Sequence, residues 1–363
     1  MKARITIRDI ATKADVHFTT VSKALRNDPK LPEKTCERIQ TIARKMGYRP
    51  DPMLSALNYY RHSHRESNHR ATLGWLSNYK DEKEAQNYPL YGSYLKSAIE
   101  RAKELGYSID QIFLRAPGMT VKRIHDILRA RCIDGLLIAP LPSDCVELSL
   151  DWGLFSAVTL GHSLQKPELH TIVPDQYESM RKMLIELRDL GYKRIGVAID
   201  RKLDLRAKSK WQAGFWVDYH GLCVKDRVKP FFYEFNDKSK GFIDWFKAQK
   251  PQAIGVVGTG LLGEIASLQL KIPQQLGLTV CGTDNQHFHV VDRQVPSGAS
   301  GSDALTLSVS GVYEDRASVA SLAVERLISM LAHREKGIPK NPQCFMAEGI
   351  WLPGETVVKQ KLS

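Results

Sequence analysis

The sequence contains no run of about 18 apolar residues, the length a membrane helix needs, and its opening MKARITIRDIATKAD breaks the apolar positions with charge. Neither a membrane span nor a secretory signal is therefore expected. Cysteine is sparse. Cys36, Cys132, Cys145, Cys223, Cys281 and Cys344 stand scattered, with no CxxC pair and no Cys/His ligand spacing. That argues against a disulfide scaffold or a structural zinc site and suits a reduced, cytoplasmic chain. Disorder is excluded by composition, since 43% of residues are hydrophobic and 25% charged, an ordinary globular balance. At 363 residues the chain outgrows one core, and two or three domains are expected.

Acidic residues are scarce at one end. Residues 1–70 hold 15 Lys and Arg against 7 Asp and Glu, a surplus of 8 out of the chain's net charge of +12. A basic end of this kind suits a polyanion, either nucleic acid or an anionic membrane. A merely solvated basic domain would show the same surplus.

This end has the periodicity of three helices. Thr6-Ile7-Arg8-Asp9 forms a capping box, and Ile7, Ile10, Ala11 and Ala14 follow at helical spacing. Asp15 ends the stripe, a residue that tolerates the left-handed backbone of a turn. A second helix over 18–26 turns Val21 and Leu25 inward and Thr19, Thr20, Ser22 and Lys23 outward, until Asn27-Asp28-Pro29 breaks it. The third starts near Pro32-Glu33, aligns Cys36, Ile39, Ile42, Ala43 and Met46, and stops at Gly47. Two short helices joined by a tight turn and braced by a third have helix-turn-helix geometry, and the second presents a compact face free of carboxylates. A protein-binding three-helix domain would carry the same stripes. After it, Asp51-Pro52 can start a helix of about two turns, too short to persist alone in water. It would project Leu54 and Leu57, and the polar stretch 61–70 then reads as a linker.

The segments ITIRDIATKADVHFTTVSKALRNDP and EKTCERIQTIARKMGYRPDP, with the leucine-bearing stretch after them, resemble the LacI/GalR (lac repressor) family of transcription regulators. The resemblance implies base contacts from Phe18, Thr19 and Lys23, backbone contacts from Thr6, Thr20 and Ser22, and a minor-groove wedge at Leu57 in a dimer. Two positions depart from the family pattern. Asp15 stands for the usual turn glycine and His17 for the usual capping serine, the latter a weaker cap by about 1 kcal/mol.

Beyond residue 70, apolar segments alternate with amphipathic ones. Strands are expected at 72–77, 107–114, 133–140, 155–161, 194–199, 229–235, 252–257 and 278–282, and helices at 91–106, 121–131, 176–191, 207–221, 261–270 and 315–332. Such alternation predicts parallel sheets covered by helices on both faces. Leu190-Gly191-Tyr192 marks a natural junction between two halves, and ligands in such folds bind at strand carboxyl ends, here in a cleft between the halves.

The resemblance extends over this region, through Tyr91-Gly92-Ser93, Asp134-Gly135-Leu136, the Leu190-Gly191-Tyr192 turn, Gly282-Thr283-Asp284-Asn285 and a closing strand within 344–351. It implies a periplasmic-binding-protein-like α/β core with late chain crossovers. The expected organisation is an all-α helix-turn-helix DNA-binding domain at 1–49, a hinge helix and linker at 50–70, and an effector-binding and dimerisation core of two parallel-sheet subdomains at 71–363, with a junction near 190. By the same resemblance, Tyr91, Asp175, Trp211 and Asp284 line an effector pocket. Trp211 replaces the usual arginine three residues before Gly214, so an altered sugar-type pocket is expected, with loss of effector binding as its rival. An anion held by that arginine is not expected.

The implied function is regulation of transcription, as a repressor, by a homodimer on a near-palindromic double-stranded DNA operator. No cofactor, metal or catalytic residue is expected. Gly258-Thr259-Gly260-Leu261-Leu262-Gly263 fits GxGxxG with Asp284 downstream, so the rival is an NAD-dependent oxidoreductase with an appended basic domain. Tight strand-to-helix packing would explain those glycines equally well. His62, His64 and His69 are spaced too irregularly to suggest a metal site.

Overall fold

A computed structural model describes residues 5–25, 31–48, 71–87, 89–141, 147–234, 241–283, 289–292 and 305–360. The hinge expected at 50–58 with Leu57, the histidines of the linker, and Asp284 lie outside them.

Three helices form the N-terminal unit: α1 (Ile7–Ala14), α2 (Phe18–Leu25) and α3 (Glu33–Met46). Their shared core is Ile10, Ala11, Ala14, Val21, Ala24, Cys36, Ile39 and Ala43, the stripes that helical spacing picks out. The capping box forms at the start of α1. Thr6 donates its backbone N–H and hydroxyl to Asp9 Oδ2 at 2.7 and 2.8 Å, and the Asp9 N–H donates back at 3.3 Å. Asp15 closes α1 in the left-handed region at φ 51°. Helix α3 also reaches the last carbonyls of both helices: Arg38 Nη1 donates to Ala14 O at 3.1 Å and Gln40 Nε2 to Ala24 O at 2.9 Å. The carbonyls left unpaired at the ends of α1 and α2 thereby lock both helices to α3.

The core has two sheets. The first includes β1 (Ala71–Ser77), β2 (Tyr107–Phe113), β3 (Gly135–Ile138), β4 (Ser156–Leu160) and β5 (His170–Pro174), and is completed by β13 (Cys344–Ala347) in the order β13-β5-β4-β3-β1-β2. All its pairings are parallel; one row runs Leu76, Ile138, Thr159. Helices α5 (Pro89–Glu104) and α12 (Arg316–His333) cover one face through Tyr94, Ala98, Val319, Ala323 and Leu327. Helix α6 (Val121–Ala130) covers the other through Ile124 and Leu128, and a one-turn helix α4 (Glu82–Gln86) precedes α5.

The second sheet has the order β14-β12-β9-β8-β6-β7, formed by β6 (Ile195–Asp200), β7 (Phe231–Tyr233), β8 (Ala253–Val257), β9 (Gly277–Thr283), β12 (Ser310–Tyr313) and β14 (Ile350–Leu352). It is parallel except at its β12–β14 edge. Helices α7 (Gln176–Asp189) and α9 (Lys210–Gly221) bury Met180, Met183, Trp211 and Phe215 on one face. Helices α10 (Phe242–Gln249) and α11 (Leu262–Ser267) bury Phe242 and Ile265 on the other. A short helix α8 (Arg201–Arg206) follows β6, and β10 (His289–Asp292) pairs with β11 (Leu305–Ser308) as a separate antiparallel ribbon.

The chain passes between the lobes three times: from β5 into α7, from β12 into α12, and from β13 to β14. The first passage, at Pro174–Gln176, comes ahead of the Leu190-Gly191-Tyr192 turn. That turn joins α7 to β6 inside the second lobe, because the apolar face of α7 packs against the second sheet. The closing strand expected within 344–351 is two strands in different sheets. Among the described residues no helix is long and apolar enough to cross a membrane.

Candidate nucleic-acid interface and effector cleft

Helix α2 puts Phe18, Thr19 and Lys23 on the solvent side, with Thr20 and Ser22 partly covered and Val21 and Ala24 buried. Phe18 is 45% exposed. It is held from two sides, with the His17 ring 4.3 Å from its own and the Arg8 guanidinium 6.0 Å above it. His17, read from sequence as a weaker cap, does cap α2: Nδ1 lies 3.4 Å from the Thr19 backbone N–H and 2.8 Å from the Thr19 hydroxyl. A ring nitrogen does here what a serine oxygen usually does, at longer range. The Thr6 hydrogen bonds hold the Asp9 carboxyl below the ordinary carboxylate range, so the proton of the Thr6 hydroxyl is committed to Asp9.

Around the cleft the expected residues are dispersed. Asp175 begins the first crossover, where its N–H donates to Ala347 O at 2.7 Å and its Oδ1 accepts from the Glu178 N–H, capping α7. Trp211 is 3% exposed and lies beneath the carboxyl end of β9. A Cβ on Gly282 would come within 2.9 Å of its indole, so only glycine admits this packing. The indole thus forms a floor under the strand that leads to Asp284, with no open face for stacking. Tyr91 belongs to α5, and its side chain is not among those described.

Other residues meet at the cleft that sequence patterns did not single out. Arg206 Nη2, from the second lobe, donates to Leu141 O beyond β3 in the first at 3.0 Å. Lys210 Nζ reaches Met346 Sδ in β13 at 3.3 Å. His162, just beyond β4, is pushed down to about 4 by burial and by Lys210 and Lys208. Ser77, at the carboxyl end of β1, is fully buried, and its hydroxyl has no described partner. Ser77 was visible as the one polar residue closing an apolar strand. The three cations lie in a charged stretch, RKLDLRAKSK, that periodicity reads only as solvated surface.

The GxGxxG segment does not make a dinucleotide crevice. The fingerprint's last glycine serves close helix–strand packing, whereas a Cβ on Gly263 would meet nothing within 4 Å, and α11 has six residues. Among the described residues no three His, Cys, Asp or Glu side chains are grouped to hold a metal ion.

Comparison with known proteins agrees with the helical unit and the two lobes. Residues 6–51 match the family described as "Bacterial regulatory proteins, lacI family". The HTH-type transcriptional repressor CytR of Escherichia coli (strain K12) is 26% identical over 295 residues, 77% of this chain and 80% of that protein. Residues 6–51 thus carry a LacI-family helix-turn-helix domain. A second relative, the NTD biosynthesis operon regulator NtdR of Bacillus subtilis (strain 168), is 22% identical over 77% of this chain and 83% of its own. A lac repressor dimer bound to operator and the anti-inducer ONPF superposes with a TM-score of 0.52 at 15% identity, covering 98% of this chain and 100% of that one. A transcriptional regulator CelR–cellobiose complex gives 0.51 at 14% identity over 97% and 100%. The architecture is a helix-turn-helix unit followed by a periplasmic-binding-protein-like core.

Proposed function

We propose that the protein is a sequence-specific transcriptional repressor that binds a near-palindromic operator as a homodimer and responds to a small ligand in the cleft. The observation that carries this reading is the exposed, carboxylate-free face of Phe18, Thr19 and Lys23 on a helix fixed at both ends. Lys23 supplies a donor for base acceptors. Thr19, its hydroxyl tied to His17, offers a methyl group to thymine, and Phe18 offers an apolar edge. Thr20 and Ser22 contact phosphates, as does Thr6 once its hydroxyl exchanges Asp9 for the backbone. Leu57 from each subunit wedges the centre of the site, and the remaining Lys and Arg of residues 1–70 give salt-dependent attraction.

The relatives of known structure include one complexed with cellobiose, which supports a carbohydrate-bearing effector. Asp175, Asp284, Tyr91 and Ser77 would meet its polar groups, with Trp211 beneath. Three strands of chain join the lobes, so a ligand that binds one lobe arrangement better shifts the population toward it and changes operator affinity. Selection of bound sites from random duplex DNA tests the reading. An enriched motif with two inverted half-sites is expected; recovery of unenriched sequences contradicts it.

A further inference from the structure

The second lobe lines the cleft with uncompensated positive charge. Among the described residues no carboxylate pairs with Arg206, Lys208 or Lys210. The described acceptor for the Lys210 ammonium is the Met346 thioether, a weak one. Asp204, the acid nearest in sequence, is occupied: it accepts from Gln212 N and Nε2 at 3.2 and 2.8 Å and so fixes the start of α9. Lys208 and Ser209 are held in succession in the left-handed region at φ 55° and 58°, with the Ser209 N–H bonded to Asp204 O at 2.8 Å. The backbone is thus constrained where the lysines leave it. In the first lobe, His162 lies within electrostatic reach of both lysines, and its buried Nε2 has no hydrogen-bond partner among the described residues.

We infer that this cluster seats a phosphoryl group of the ligand, between Lys208 and Lys210 of the second lobe and His162 of the first. The inference rests on the cleft being the effector site and names the chemistry of its ligand. Two ammonium groups act as point charges suited to a compact tetrahedral oxyanion, where a planar carboxylate is better matched by an arginine fork. The Arg206 guanidinium donates one N–H to Leu141 O and so helps to hold the lobes in register. A neutral imidazole in the tautomer protonated at Nε2 adds one donor. The arginine that Trp211 replaces is therefore made good by cations one and three residues earlier in the chain. Because the cluster draws on both lobes, an anion there bridges them and favours the closed arrangement.

The test is calorimetric titration of the full-length protein with inorganic phosphate, glucose 6-phosphate, glucose and acetate. Saturable binding of phosphate and glucose 6-phosphate is expected, tighter than that of glucose or acetate. Each of Lys208→Gln and Lys210→Gln should weaken it about tenfold or more, while Lys122→Gln, on exposed α6, should not. Absence of saturable phosphate binding overturns the inference. So does phosphate binding unchanged in the Lys208→Gln/Lys210→Gln double variant, which would place the anion on the basic N-terminal unit, or acetate binding as tight as phosphate. Operator affinity is measured alongside. If phosphate binding depends on the lysines but leaves operator affinity unmoved, the site stands and only the regulatory reading fails.

Discussion

At the scale of single residues, two side chains do work that their types do not announce. Asp15 accepts a left-handed backbone that costs a residue with a Cβ about 1 kcal/mol or more, less for Asp than for β-branched residues. Asp15→Gly should therefore slow amide exchange in α1 and α2 of the full-length protein, and Asp15→Val should hasten it; equal protection in both would remove strain from the account. His162 is the clearest titrating group. Unfolded, its imidazole titrates near 6.5, but folded it does so near 4. Between these values the unfolded chain binds more protons, so acidification favours unfolding; above 6.5 the group contributes nothing to the slope. Urea denaturation of His162→Gln should accordingly show a shallower loss of stability from pH 6.5 to 4 than the parent. Parallel curves would contradict the burial and lysine contacts that cause the shift.

Among elements, α1, α2 and α3 were legible because each signals its ends locally: a capping box, Asp15, Gly47 and an apolar stripe between. The eight strands expected between residues 72 and 282 and the main helices were legible from alternation. What escaped was short and without period. The His170–Pro174 strand is a brief buried run, which periodicity does not separate from a loop or helix fragment. The split of 344–351 into β13 and β14 is decided by which sheet edge lies open in space, information no local window holds. For the same reason the cleft cations read as surface. Packing of α9 on α7 gives an element-scale prediction. A Cβ at Gly214 would come within 2.6 Å of Tyr177 O and 3.0 Å of Met180 Cβ, and backbone cannot yield as a side-chain tip can. Gly214→Ala should destabilise the protein by about 1–3 kcal/mol, the cost of overpacking, as read by urea denaturation. An unchanged midpoint would mean the two helices separate freely.

For the whole molecule, the three passages between lobes matter most. A ligand gripping both lobes at His162 and Lys208–Lys210 acts on a hinge of three strands of chain, and the basic N-terminal unit is attached ahead of β1 in the first lobe. Leu57 lies between the reading unit and that lobe in sequence, so Leu57→Ala should lower affinity for the selected site by about tenfold or more and leave affinity for random DNA unchanged. Equal losses on both would exclude a wedge.

The most direct measurement is the ratio of affinities of the full-length protein for its selected duplex and for a scrambled duplex of equal length, at one fixed salt concentration. The account predicts a ratio of about 10³ or more, reduced by Lys23→Gln through the selected duplex. A ratio near one, with both affinities falling together as salt rises, would show that the basic end attracts DNA without reading it.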